Sequence, residues 1–294
     1  MRTFRRALQR DAFCCTAELF LPRQATAGDA LRQAAELAPH ADGIQLAENP
    51  HDWVQISPPA LAALLLREGI DPVSRLNCRD RNRIALQSDL LGLRAIGAST
   101  VVLDRGEAIP AGQERQAKAV FDTAAHEYVA MAHAMNEEGS FAVKDELVIG
   151  TSVGVVEPGP AWDSASLVAS IGAGARFLQT RPCFDSGLLR RYMQRMVEEK
   201  ITWNCAIIVT LAPLPSAETA RWLAENIPGS VIPEAIIERL ENAANPEREG
   251  IDICAELISE SAGIPGISGV NLLSAGKPQA VASAIESSGV MRQR

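Results

Sequence analysis

Little in this sequence points to metal, thiol or polyanion chemistry. Its 294 residues include six cysteines and four histidines. No CxxC pair occurs, and the cysteine spacings suit neither a zinc site nor a disulfide framework. The histidines (His40, His51, His126 and His133) form no HExxH-like pair, so no metal site is expected. Lysine is scarce, with four against 24 arginines, a bias read as genomic rather than functional. The formal net charge of −8 argues against duplex nucleic acid or an anionic membrane as partner, since both need a basic surface. It leaves room for a small anionic ligand in a local pocket. No apolar run reaches the roughly 18 residues of a membrane helix. The basic N-terminus MRTFRRALQRDAFCC is not followed by the apolar core of a secretory signal. Free cysteines in apolar runs pack as small hydrophobes, and a reducing, cytoplasmic compartment is expected. Neither a P-loop nor G-x-G-x-x-G after the first strand is found.

What is present is alternation. Short apolar or β-branched runs at 15–21, 42–47, 73–78, 99–104, 146–153, 176–183, 205–211 and 267–273 read as strands. Between them lie helical patterns, among them 25–40, 58–69 with Ser57 as N-cap, 81–97 ending in Gly97, and 116–139. Parallel neighbours need crossover helices, so repeated strand–helix units imply a parallel sheet. Eight units in this length predict a closed (β/α)₈ TIM barrel, one domain over 1–294, with a doubly wound sheet as the alternative. A short N-terminal helix is expected to close the base. The stretch 228–262 reads as an elaborated seventh connection.

In such a barrel the active site gathers at the C-terminal strand ends. VVLDRGEA (101–108) ends a strand in three charges and a glycine. Alone, DRGE reads as a solvated loop. At a barrel mouth, Gly106 would let backbone approach a ligand while Arg105 and Glu107 face it. Glu18 sits in AELF with apolar neighbours. A carboxyl in such surroundings has a raised pKa and suits a proton donor; the competing reading is a structural carboxylate paired with a barrel arginine such as Arg75.

These positions carry a family resemblance. TAELFLP (16–22), RLNCRDRNRIALQSDLLGLRAIGASTVVLDRGE (75–107), GAGARFLQTRPCFD (172–185) and AGIPGISGVNLL (262–273) are similar, in order and spacing, to motifs of the short bacterial methylenetetrahydrofolate reductases. The resemblance implies a flavin-containing barrel: NAD(P)H reduces FAD, and FAD passes a hydride to 5,10-methylenetetrahydrofolate, giving 5-methyltetrahydrofolate. It places Glu18 on the catalytic acid and Glu107 on an acid beside flavin and pterin. Cofactor contacts fall on Ala47, Arg75, Asn77, Arg105, Gly106, Asp163 and Ser166. Folate contacts fall on Thr180, Arg181 and Ala217 beside the two acids.

The departures are many. Arg75 stands at a family His and Ala47 at a Thr. Ser166, Ala169 and Ser170 replace an Asn, an Arg and a Lys that hold FAD. Arg181 replaces a pterin-bonding Gln, and Ala217 a stacking Phe. Two further readings follow: a folate or one-carbon oxidoreductase without flavin on the same barrel, and a non-catalytic folate- or flavin-binding relative. Oligomeric state stays open, a homo-oligomer included.

Overall fold

The computed structural model of the protein describes residues 3–10, 12–49, 54–109, 117–138, 146–159 and 162–290. Eight strands run parallel and close into a barrel in sequence order. They are β1 (Cys14–Glu18), β2 (Gly43–Leu46), β3 (Pro72–Asn77), β4 (Thr100–Asp104), β5 (Val148–Val153), β6 (Phe177–Pro182), β7 (Ala206–Leu211) and β8 (Ile267–Leu273). β8 returns to pair with β1. A short helix α1 (Phe4–Gln9) precedes the barrel. The crossovers carry α2 (Ala27–Leu37), α3 (Pro58–Arg67), α4 (Arg83–Ala95), α5 (Ala125–Glu137), α6 (Ala165–Gly172), α7 (Ser186–Glu198) and α8 (Ala217–Asn226). Two more, α9 (Glu234–Asn242) and α10 (Pro246–Ala262), follow before β8, and α11 (Pro278–Ser288) comes last. This is a single-domain TIM barrel.

Local chemistry starts and stops these elements. Thr26 and Asp29 form a reciprocal capping box on α2, whose Ala30, Ala34 and Leu37 bury at helical spacing. Asp185 caps α7 through the Leu188 N–H, and Leu188, Leu189, Tyr192, Met193 and Met196 face the sheet. Ser57 holds the N-cap position of α3 without a side-chain bond, and Gly97 follows α4 with φ +93°.

One element differs from expectation. The helix anticipated over 116–139 begins only at Ala125. Before it the chain runs alongside the end of β3: the Val120 N–H donates to Arg79 O at 2.8 Å and the Phe121 N–H to Cys78 O at 3.1 Å. Phe121 has φ +43°, which no α-helix accommodates. The helix starts where the Glu127 carboxylate accepts from the Thr123 hydroxyl and the Ala124 N–H.

Strand residues two apart share a face, and the barrel interior changes character along that period. At the base, Cys14, Val73, Val102, Phe177 and Ile208 form an apolar cluster with Phe4 of α1. Phe4 meets Phe177 edge-on at 5.2 Å and donates its N–H to Asp71. One step up stand Thr16, Arg75, Asp104, Gln179 and Thr210; Glu18 and Asn77 come one step further. The interior thus passes from hydrocarbon at its N-terminal end to charge at its C-terminal end.

Candidate active site

A cavity of about 650 Å³ opens over the C-terminal strand ends, a usual size for a small-molecule site. One wall is charged: Glu18, Arg75, Asp104, Glu107 and Arg181. The other is apolar, built by Phe20 after β1, Pro213, Leu214 and Pro215 after β7, Trp222 and Leu223 of α8, and Leu273 of β8.

Arg75 organises the charged wall. Its Nε donates to Asp104 Oδ2 at 2.7 Å, and one terminal nitrogen donates to Ser152 Oγ at 2.5 Å. Its other terminal nitrogen lies 3.6 Å from Glu18 Oε2. Asp104 also accepts from the Ser152 N–H and hydroxyl, each at 3.0 Å. Burial alone would raise the Asp104 carboxyl, but Arg75, Arg181 and the Ser152 hydroxyl together hold it below the usual range. Glu18 has one good donor, the Gln45 amide at 2.5 Å. Desolvation by burial outweighs Arg75 and Gln45, and its carboxyl titrates above the ordinary value. A buried carboxyl, Asp104, and a half-buried one, Glu18, therefore flank one guanidinium. Asp104 takes the direct bond and the charge, and Glu18 is the one disposed to hold a proton. Glu18 thus stands beside a barrel arginine, as one reading expected, in surroundings that raise its carboxyl.

At the rim, Glu107 and Arg181 form an ion pair at 2.5 Å. Gly106 has φ +80°, and a Cβ there would lie 2.9 Å from that of Arg79, so β4's turn fits against β3's only as glycine. A register shift in β6 between Gln179 and Pro182 turns both Thr180 and Arg181 to the cavity. Asn77 lines the cavity while its Oδ1 accepts from the N–H groups of Arg79 and Asp80.

Eight of the residues expected at the site line this one cavity: Glu18, Ala47, Arg75, Asn77, Gly106, Glu107, Thr180 and Arg181. Four do not. The exposed Arg105 guanidinium lies over the Phe121 ring at 4.4 Å. Asp163 and Ser166 are exposed beside α6, where the Asp163 carboxylate caps the Ala165 N–H. Ala217 is buried in the first turn of α8. Asp104, Gln45, Ser152, Thr210, Ser274 and Trp222 were not anticipated. Strand parity would have found four of them, since Gln45, Asp104, Ser152 and Thr210 lie two positions beyond interior residues.

Two cavity-lining hydroxyls, Thr210 Oγ1 and Ser274 Oγ, are buried and have no hydrogen-bond partner among the described residues. Desolvating a hydroxyl without a partner costs about 1–3 kcal/mol, so this polar edge suits a ligand that supplies the missing bonds. Burial pushes the thiols of Cys78 up to about 12, Cys183 to about 11 and Cys205 to about 12, which keeps these three protonated and weak as nucleophiles. Among the described residues no group of His, Cys, Asp or Glu could hold a metal ion, and no helix is long and apolar enough to cross a membrane.

A resident flavin dinucleotide needs its diphosphate gripped by cations or helix N-termini. The lining arginines are committed: Arg75 to Asp104, Arg79 to Asp80, Arg181 to Glu107. Helix α6 carries no basic residue. Arg191 and Arg195 of α7 pair with Glu157 and Glu199. The described residues do not fit a tightly held FAD diphosphate.

The profile of the family described as methylenetetrahydrofolate reductase matches residues 3–289. No curated protein matches the chain. Among solved structures, the chain resembles the EDTA monooxygenase EmoA from Chelativorans sp. BNC1 at 12% identity and TM-score 0.57, covering 96% of this chain and 94% of that one. It also resembles an oxaloacetate acetylhydrolase (8%, TM-score 0.55, covering 99% and 85%) and a 2,3-dimethylmalate lyase (13%, TM-score 0.53, covering 96% and 83%). At such identities these likenesses concern the fold alone.

Proposed function

The chain belongs to the methylenetetrahydrofolate reductase family, and on that premise we propose that it reduces 5,10-methylenetetrahydrofolate to 5-methyltetrahydrofolate with a hydride from NAD(P)H, Glu18 acting as general acid. The observation that carries this reading is the half-buried Glu18 carboxyl on the wall of the cavity, its side chain 14% exposed and 3.6 Å from the nearest Arg75 nitrogen.

The chemistry needs such a group. Protonation of the folate N10 breaks its bond to the bridging carbon and leaves an electrophilic iminium at N5. Hydride addition to that carbon gives the N5-methyl group. One proton and one hydride are consumed; Glu18 supplies the proton and is reprotonated from solvent. Glu107 and Arg181 offer an acceptor and a donor to the edge of the pterin. Thr210 and Ser274 supply further polar contacts, and the wall from Pro213 to Leu223 takes the flat faces of the rings.

The charge arrangement favours the flavin-free form of this reaction. A resident flavin held at nanomolar dissociation constants requires about 12 kcal/mol of binding free energy. A nicotinamide co-substrate with a micromolar to millimolar constant needs only about 4–8 kcal/mol and can leave its diphosphate in solvent. The purified protein is expected to be colourless and to oxidise NADH or NADPH only when methylenetetrahydrofolate is present. Glu18→Gln should keep the fold and lower kcat by about 10² or more, the scale of general-acid loss. Stoichiometric FAD in the purified protein sinks the flavin-free form. Wild-type turnover in Glu18→Gln removes the acid, and absence of folate-dependent oxidation removes the function.

A further inference from the structure

Arg75 could in principle neutralise either carboxyl beside it, and the structure shows which one it serves. Its Nε meets Asp104 at 2.7 Å, whereas Glu18 stands 3.6 Å from a terminal nitrogen. The third anchor is Ser152, whose hydroxyl accepts from Arg75 and donates to Asp104. Asp104 and Ser152 together turn the guanidinium toward β4 and β5. We propose that Asp104 is a positioning residue: by holding Arg75 away from Glu18, it keeps Glu18 in the proton-carrying form that the reaction uses.

The neighbouring strands set the charges that face Glu18. β2 presents the neutral Gln45 amide, and β3 presents Arg75. β4 adds the Asp104 charge, and Arg181 of β6 a more distant positive one. β8 presents the uncharged Leu273 in register with Glu18. Removing the Asp104 charge would act on Glu18 twice in the same direction. It deletes a repelling anion and frees Arg75 to approach, and both stabilise the Glu18 carboxylate.

The proposal rests on Glu18 being the general acid. A step that needs a protonated acid slows as pH rises through that acid's pKa. The test is the pH dependence of kcat for methylenetetrahydrofolate-dependent NAD(P)H oxidation in wild type, Asp104→Asn, Asp104→Glu, Ser152→Ala and Glu18→Gln. In Asp104→Asn the alkaline limb should move toward acid by about one unit or more, the scale of an opposite charge brought into contact; at fixed pH above the limb that is about a tenfold loss. Asp104→Glu, which keeps the charge, should largely restore the limb. Ser152→Ala should move it less, in the same direction, and decides the matter if the Asn variant does not fold. A purely structural Asp104 would lower kcat or Tm without moving the limb. A limb unmoved in both Asp104→Asn and Ser152→Ala, yet abolished in Glu18→Gln, overturns the role of Asp104 alone. A limb that survives Glu18→Gln overturns the acid, and this proposal with it.

Discussion

Thr210 carries a buried hydroxyl that costs stability in the free protein and that a bound ligand would satisfy. Its backbone N–H is satisfied by Thr180 Oγ1 at 3.0 Å, but its own hydroxyl is buried with no partner among the described residues. Valine has nearly the same shape and lacks the polar atom. Thr210→Val should therefore stabilise the free protein, by about 1 kcal/mol if the unmet hydroxyl bears the usual penalty. The same change should weaken binding of 5-methyltetrahydrofolate several-fold, because a ligand contact disappears. Opposite signs in denaturant unfolding and in calorimetric titration would identify Thr210 as a ligand-facing group. A substitution that leaves affinity intact would show its hydroxyl to be idle. Such a stability gain with functional loss is the pattern expected where a site is built from unsatisfied groups.

The elements around the cavity are joined by close backbone contacts. Helix α10 approaches the loop after β7 so closely that a Cβ on Gly250 would lie 1.8 Å from the Leu214 carbonyl oxygen. Backbone sits on both sides, so neither can yield by a side-chain rotation. Gly250→Ala should cost about 1–3 kcal/mol, read as a Tm lowered by several degrees. Because Pro213, Leu214 and Pro215 line the cavity, substrate affinity should fall in the same variant; a lowered Tm with unchanged affinity would show that the loop absorbs the shift. This scale is also where the sequence is most legible. Strand and helix periods differ, and eight apolar runs between amphipathic stretches leave few topologies other than a barrel. The helix start at Ala125 was not legible, because the pairing of Val120 and Phe121 with the end of β3 is a long-range bond that overrides local propensity. The site was legible where a charge interrupts an apolar strand, as at Glu18 and Arg75. Four expected residues lie off the cavity: Arg105, placed there from its position at a strand end, and Asp163, Ser166 and Ala217, whose expected places came from likeness to relatives.

Across the whole molecule, the two ends of the barrel respond to pH in opposite senses. At the base, Asp71 accepts the Phe4 N–H that docks α1 and faces Asp42 nearby. Burial, with a smaller push from Asp42, raises its carboxyl to about 6 from an ordinary 3.8. The folded chain thus binds this proton more tightly than the unfolded one, and stability from Asp71 is complete below about pH 4 and lost as pH rises through 6. Asp104 at the opposite end is depressed, so its contribution is present above the unfolded value and lost as pH falls. Asparagine at 71 would keep an acceptor for Phe4 and carry no charge. Asp71→Asn should accordingly be more stable than wild type at pH 8, by up to about 3 kcal/mol for a shift of roughly two units, with the gap closing toward pH 4. Urea unfolding of both proteins at the two pH values measures it. Equal stability at pH 8 would mean that Asp71 is solvated when ionised, and that the docking of α1 does not seal the base of the barrel from water.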